Sequence, residues 1–190
     1  MLKHAADNAK IQYVIFTVFV ISVICGSLFC RFLGADGFTP ISEYFSAYIK
    51  TDINTDAILK KALISNICAG CVIFAGGLTR AGVLFIPLAA FREGFNAAFC
   101  TSCLCRCFSL NGLIIGVLSE VHLLFYIPII IFSSSFSIKM SQSFKKSQKN
   151  FKIFFVIFQL LMITIFCGVA FFQAYVNTIF MKAAISRLSF

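Results

Sequence analysis

Long apolar runs separated by short polar segments dominate the hydrophobic pattern of this chain. An α-helix needs about 20 apolar residues to cross the ~30 Å hydrocarbon layer of a bilayer. The runs that reach or approach this length are residues 11–30, 62–78, 81–104, 110–136 and 153–175. They exceed the ~10 residues of a barrel strand and lack its strict alternation, and in hydrocarbon only helices and closed barrels satisfy their backbone. The pattern therefore predicts an all-α fold, a polytopic membrane helix bundle with about five transmembrane helices.

The segment 31–61 is the one substantial polar stretch between these runs. It carries four basic and four acidic residues, so its charges balance. Apolar side chains recur within it at roughly helical spacing, at Ile41, Tyr44, Phe45, Tyr48 and Ile49. This spacing predicts a short helix, which either lies in the membrane interface or packs as an ordinary loop helix. With no internal repeat and no linker, residues 1–190 are expected to form a single integral membrane domain.

The composition and the placement of charge agree with a membrane protein. Hydrophobic residues make up 60% of the 190 residues, against about 45–50% in a soluble domain. The net charge of +9 does not indicate nucleic-acid binding, because the densest basic block lies between two apolar runs, where membrane proteins place cytoplasmic lysines. That block contains Lys139, Lys145, Lys146, Lys149 and Lys152. We therefore predict a multi-pass protein of the cell membrane, surrounded by membrane lipids, with a cytoplasmic N-terminus and no nucleic-acid partner.

Four ionisable residues interrupt the third and fourth apolar runs, namely Arg92, Glu93, Glu120 and His122. Charges at this depth are costly and usually face a bundle interior or a wet cavity. With a turn near Ser109 and a rise of about 1.5 Å per residue, Arg92 and Glu120 would differ in depth by about 8 Å, which predicts an interhelical pair. Three roles are open for the four residues: locking helices together, forming a proton or ion path, or binding a partner span.

Prolines and glycines mark further features of these two runs. Pro87 and Pro128 lie in mid-span and are predicted to kink their helices. Gly94, beside the charges of the third run, is a packing candidate. Gly112 and Gly116 form a small-xxx-small face, for which close helix packing within the chain is the simplest interpretation.

A cysteine cluster, Cys100, Cys103, Cys105 and Cys107, has the ligand count of a zinc or iron–sulfur site. Because one continuous helix cannot wrap four thiolates around one ion, we predict no metal. Oxidation of these thiols is an alternative if the turn faces outside. The sequence has no HExxH, GxSxG or P-loop motif and only two histidines. We therefore predict no enzymatic activity, no catalytic residues and no cofactor.

Residues 76–99 and 112–143 carry a family resemblance. In the first stretch, an apolar run with a mid-span proline leads into an Arg-x-Gly-Phe motif at residues 92–95. In the second, His122 stands six residues before Pro128. The two stretches resemble the stage II sporulation protein M family, in which a proline-histidine-glycine segment leads to a later proline.

The resemblance implies a function without catalysis, although Val121 and Leu123 replace the proline and glycine of the family segment. Members of the family belong to the engulfment machinery of endospore-forming bacteria, where they anchor and recruit two membrane-anchored peptidoglycan-degrading proteins. A member would be a scaffold at the sporulation septum and the engulfing mother-cell membrane, with peptidoglycan hydrolases as partners and no small-molecule substrate. The alternative is a small transporter or permease-like subunit that uses the charges of the third and fourth runs as a relay, which mid-span prolines in adjacent helices favour.

Overall fold

The computed structural model of the protein describes residues 2–50, 54–143 and 149–187. These residues form helices throughout, and no strand occurs among them. The elements are α1 (Leu2–Phe32), α2 (Ala35–Lys50), α3 (Thr55–Leu78), α4 (Gly82–Ser119), α5 (Leu123–Ser143), α6 (Lys149–Phe172), a π-helical segment (Gln173–Asn177) and α7 (Thr178–Arg187). Five helical stretches are long and apolar enough to cross a membrane. The predictions of an all-α fold and of about five spans are confirmed.

The first, second and fifth predicted spans lie inside longer helical stretches. Residues 11–30 fall within α1. The helix α3 begins at Thr55, well before the predicted residue 62, because the Asn54 side chain caps it by accepting a backbone hydrogen bond of 3.1 Å. The last apolar stretch runs over Asn150–Ile185, beyond the predicted residue 175, because the π-helical segment continues the helix instead of ending it.

The helix α4 is a hairpin of two arms, residues 82–107 and 110–119. The backbone leaves the helical region at Phe108 (φ −127°, ψ 16°) and Ser109 (φ 51°, ψ −129°). Beyond this turn Gly112 lies directly against the backbone of Leu104, and a Cβ on Gly116 would lie 2.8 Å from Thr101 Cγ2. The turn predicted near Ser109 is therefore present, and the small-xxx-small face packs within the chain.

The helix α1 packs along the first arm of α4 through two glycines. A Cβ on Gly26 would collide with the Phe95 carbonyl oxygen, and one on Gly94 would collide with Ser22 Oγ. The two backbones can approach this closely only because neither position carries a side chain. Gly94 is thus a contact residue between helices, as its candidacy for packing predicted.

The hydrophobic core draws on five helices. Its buried side chains include Ile15 of α1, Ile73 of α3, Ile86 of α4, Tyr126 of α5 and Phe166 of α6. Around this core, large apolar side chains remain exposed on the outer faces of the spanning helices. Such a surface suits lipid and not water.

Two hydrogen bonds identify which chain segments share an end of the bundle. Ser141 Oγ donates to Thr79 O, so the end of α5 lies beside the α3–α4 connection. Arg106 Nη1 donates to Leu33 O at 2.9 Å, so the end of α1 lies beside the Phe108–Ser109 turn. The start of α1 and the end of α5 therefore share one end of the bundle. Of the predicted basic block, Lys145 and Lys146 lie outside the described residues.

The helix α2 lies at the end of the bundle that holds the Phe108–Ser109 turn, which we call the α2 end. It confirms the helix predicted within residues 31–61. Phe45 packs on a small buried cluster at this end, whereas Tyr44 is 63% exposed. That cluster contains Leu104, Ile115, Met181 and Ala184. One face of α2 thus packs on the bundle while the other stays open.

Candidate functional site in the membrane interior

The chain is interrupted inside the bundle between α4 and α5. Glu120 has φ −105° and ψ 9°, and α5 begins only at Leu123. The second arm, residues 110–119, rises about 15 Å from the turn at the α2 end, which is half of a ~30 Å hydrocarbon layer. The structure therefore differs from the prediction of one span over 110–136, because the half-length second arm ends at Glu120–His122 and the 21-residue α5 begins beyond it.

Asn177, at the end of the π-helical segment, holds this interruption. Its Nδ2 donates to the Ser119 carbonyl oxygen at 2.6 Å and lies 3.0 Å from His122 Nδ1. Because an amide nitrogen only donates, a hydrogen bond to His122 Nδ1 requires the imidazole tautomer with its proton on Nε2. Asn177 is 2% exposed. One side chain thus satisfies a carbonyl that the broken helix leaves free and also fixes the imidazole tautomer.

The charged residues of the third run do not pair as the sequence predicted. Arg92 Nη2 lies 2.8 Å from Glu93 Oε1 and also donates to Ser65 Oγ. The predicted Arg92–Glu120 pair is wrong, because the Arg92 guanidinium is taken up by its neighbour Glu93 and by Ser65 of α3. Glu93 instead lies close enough to Glu120 for the two charges to interact.

Three side chains in this region retain hydrogen-bonding capacity. Tyr126 is 1% exposed, and its hydroxyl has no hydrogen-bond partner within the described ranges. The same holds for Asn177 Oδ1, and Glu93 Oε1 has only its ion pair with Arg92. Buried polar atoms are normally satisfied, above all in hydrocarbon. The atoms without any partner are therefore one acceptor, Asn177 Oδ1, and one hydroxyl, that of Tyr126, a set that can hold water or a small polar ligand.

We call this group the polar centre. It consists of Glu93, Glu120, His122, Tyr126 and Asn177. Glu93 lies within electrostatic range of both Glu120 and Tyr126. The rings of His122 and Tyr126 are 6.4 Å apart. The centre is therefore assembled from the first arm of α4, the break, α5 and the π-helical segment.

A second buried polar group joins α5 to α6. Gln159 Oε1 accepts from Ser133 Oγ at 2.9 Å, while Gln159 Nε2 donates to Ser137 Oγ at 2.5 Å and to Ser133 O at 3.3 Å. We call these three residues the Gln159 layer. All three are buried, and every polar side-chain atom of the glutamine is in use. These hydrogen bonds hold α5 against α6.

The two mid-span prolines are not the places where the helices break. The assigned helices run through Pro87 in α4 and Pro128 in α5. The backbone leaves the helical region at Phe108–Ser109 and at Glu120–His122 instead. Each proline is the sixth residue of its helix, so its missing N–H removes one i→i−4 backbone bond without ending the helix.

The four clustered cysteines do not converge on one point. Cys103 is buried with its Sγ 3.3 Å from Cys30 Sγ of α1, whereas Cys105 is exposed. Within residues 2–50, 54–143 and 149–187, no group of three or more His, Cys, Asp or Glu side chains is placed to hold a metal ion. The thiol contact between α1 and α4 is therefore the one close pairing that this cluster makes with another helix among those residues.

Sequence reasoning missed three residues that organise the interior. Asn177 and Gln159 are isolated amides in an apolar stretch, which is a usable signal because such groups must find partners in hydrocarbon. Tyr126 gave no signal, since a tyrosine in an apolar helix normally packs as an aromatic ring.

Comparison of the chain with protein-family models, with curated proteins and with solved structures finds no match. The resemblance of residues 76–99 and 112–143 to the sporulation family therefore stays a prediction. Structurally, the two stretches supply the α3–α4 connection, parts of both arms of α4, the break and α5.

Proposed function

We propose that the protein is a non-enzymatic membrane scaffold that docks membrane-anchored partners, and that in an endospore former these partners are peptidoglycan hydrolases at the division septum. The observation that carries the proposal is how the described residues divide between membrane-length helices and the rest of the chain. Five membrane-length stretches and α2 account for nearly all described residues, so partners have to be met on the outer helix faces or on α2.

The stretches that carry the family resemblance also form a single packed unit. Ile86 and Ala90 of α4 share one core with Tyr126 and Ile130 of α5. Ser141 at the end of α5 bonds to Thr79 O at the start of the other stretch. The two stretches thus form one structural unit within the bundle.

Two outer faces are available for a partner span. On α1, Tyr13, Phe16, Val20 and Ile24 are exposed, and on α6, Phe154, Ile157 and Leu161 are exposed. In a bilayer, helix association depends on shape and on small or polar contacts more than on apolar area. A bulky substitution on the contacting face should therefore block docking while the bundle stays folded.

Affinity capture of the tagged protein from sporulating cells tests the proposal. We expect a wall hydrolase to copurify, and we expect deletion of the gene to stall engulfment and to scatter a septal hydrolase. Val20→Trp and Ile157→Trp place the same bulk on α1 and α6, so each is the control for the other. Normal engulfment in the deletion strain would contradict the proposal.

Transport is the second candidate, and the polar centre favours it. Membrane transporters bind their substrates where helices are discontinuous near the midplane, and π-helical turns often occur at functional sites. Here a broken helix faces a π-helical segment across His122 and Asn177. Glu93 and Glu120 would then act as the titrating groups of a proton path.

Proton flux in vesicles distinguishes the two candidates. The purified protein is reconstituted with an internal pH-sensitive dye, and flux is driven by a potassium gradient with valinomycin. Transport requires flux in the wild type and loss of flux in Glu93→Gln and Glu120→Gln. Glu43→Gln, at an exposed position of α2, is the control and should keep full flux. Absence of flux in the wild type rejects proton transport.

A further inference from the structure

A basic groove opens between α1 and α4 at the α2 end. Its volume is about 540 Å³. The lining residues are Ser27, Cys30, Arg31, Thr101, Ser102, Cys105, Arg106 and Leu113. Two arginines and three hydroxyl side chains thus face one space, and no acidic residue is among the lining residues. Neither the polar centre nor the proposed scaffold function accounts for this groove.

Arg106 is held rigidly at one wall. Its Nη1 donates to Cys30 O at 3.0 Å and to Leu33 O at 2.9 Å, which are carbonyls at the open end of α1. Its guanidinium carbon also lies 4.0 Å from the centroid of the Phe38 ring. The bonds to α1 use the Nη1 donors, so the Nη2 and Nε edge of the fork is the part that can meet a ligand. A fixed guanidinium fork matches two oxygens of a phosphate.

Arg31 supplies the second positive charge from the last turn of α1. The membrane-length stretch of α1 ends at Phe32, so this arginine lies where a span meets the headgroup region. Ser27 and Thr101 place hydroxyls in the same groove. Ser27 Oγ already donates to Val23 O at 3.0 Å, which leaves its lone pairs as acceptors for a headgroup hydroxyl.

The remaining wall is apolar and continues into the lipid-facing surface. Leu113 lines the groove and is 41% exposed, and Leu110 beside it on the second arm is 74% exposed. Leu28 of α1 is exposed on the adjacent surface. A ligand here meets positive charge at one end and apolar side chains at the other, as a phospholipid requires and an inorganic anion does not.

We propose that this groove binds an anionic phospholipid, whose phosphodiester lies between Arg31 and Arg106 and whose acyl chains lie along Leu113 and the outer face of α1. Basic pockets between transmembrane helices are an established way of recognising such headgroups. The site selects a lipid with net negative charge over a zwitterionic one, because the groove contains positive charge and no compensating acid.

Native mass spectrometry of the detergent-solubilised full chain tests the site. We expect the wild type to retain one phosphatidylglycerol molecule, and to retain phosphatidylcholine at least fivefold less well. Arg31→Gln should reduce phosphatidylglycerol retention about fivefold, which is the effect of one cationic side chain near a lipid surface. Arg80→Gln, an exposed arginine at the opposite end of the bundle, is the control and should retain lipid as the wild type does.

A thermal unfolding series separates lipid from free phosphate. Phosphatidylglycerol should raise the melting temperature of the wild type but not of Arg31→Gln, while inorganic phosphate at the same concentration should leave it unchanged. Equal retention of the two lipids, unchanged retention in Arg31→Gln, or an equal shift with inorganic phosphate would each overturn the proposal. Arg31 is the test position because Arg106 also bonds α1, so its replacement would disturb the fold.

Discussion

The Gln159 layer and the polar centre are both buried polar groups between spanning helices, yet they are built differently. In the layer, every polar side-chain atom of Gln159 is bonded to Ser133 or Ser137, and the helices α5 and α6 are regular there. In the centre, Asn177 Oδ1 and the Tyr126 hydroxyl are without partners in the described structure, and two of the four contributing segments, the break and the π-helical segment, depart from α-helical geometry. Holding helices together therefore does not require a broken backbone.

The difference has an energetic meaning. A polar group without a partner in hydrocarbon is unfavourable, and in the centre these groups are the Tyr126 hydroxyl and Asn177 Oδ1. The centre thus keeps an unfavourable arrangement that the Gln159 layer avoids. Such arrangements in a membrane interior are expected where a chain binds or moves something, which is why the centre and not the layer is the candidate site.

The largest effect is expected from Gly112→Leu. The substitution places a side chain against the Leu104 backbone, so the second arm cannot return along the first and Glu120 and His122 do not reach the centre. We expect a loss of about 3 kcal/mol or more, seen as a lower thermal midpoint and yield. Gly168→Leu is the matched control, because a Cβ at Gly168 meets no atom within 4 Å. Equal stability of the two variants would refute the hairpin.

Gln159→Leu tests whether the Gln159 layer stabilises the packing of α5 against α6. It leaves the buried Ser133 and Ser137 hydroxyls without their amide partner, and we expect a loss of about 1–2 kcal/mol. Adding Ser137→Ala should recover part of that loss, since one stranded hydroxyl is removed. Ser134→Ala is the control, because the Ser134 hydroxyl has no partner to lose. A full additive loss in the double variant would show that the layer is not a coupled network.

The spans could be predicted from the sequence because their signal is local. Run length identified five crossings, and the turn at Ser109 lies where the third and fourth apolar runs meet. The break at Glu120–His122 could not be predicted, because it contains neither glycine nor proline. Its stabilising partner, Asn177, is 55 residues away from His122. Sequence spacing alone does not show that a distant amide will satisfy an interrupted helix.

Asn177→Ala should cost less than Gln159→Leu, about 1 kcal/mol. The variant loses the bonds to Ser119 O and His122 Nδ1, but it also removes the unpartnered Oδ1 and opens space for water beside the break. Asn150→Ala, at an exposed position of α6, is the control. Thermal melting of the purified variants is the measurement. A loss of stability larger than that of Gln159→Leu would mean that the centre contributes more to the stability of the fold than the layer does.

Tyr126→Phe should have the smallest effect on stability. The ring packs against Phe166 at a centroid distance of 5.3 Å, and this contact is kept, while the only group removed is a buried hydroxyl without a protein partner. We therefore expect a change within about 0.5 kcal/mol, or a small gain, because a desolvated polar atom is lost at no cost in bonding. Tyr126→Ala, which also removes the ring, should cost about 3 kcal/mol. If Tyr126→Phe instead lost as much stability as Gln159→Leu, the hydroxyl would have to be bonded to water. The hydrogen-bonding capacity of the centre would then be used as fully as that of the layer. Unchanged stability combined with altered proton flux would place the hydroxyl in a transport path.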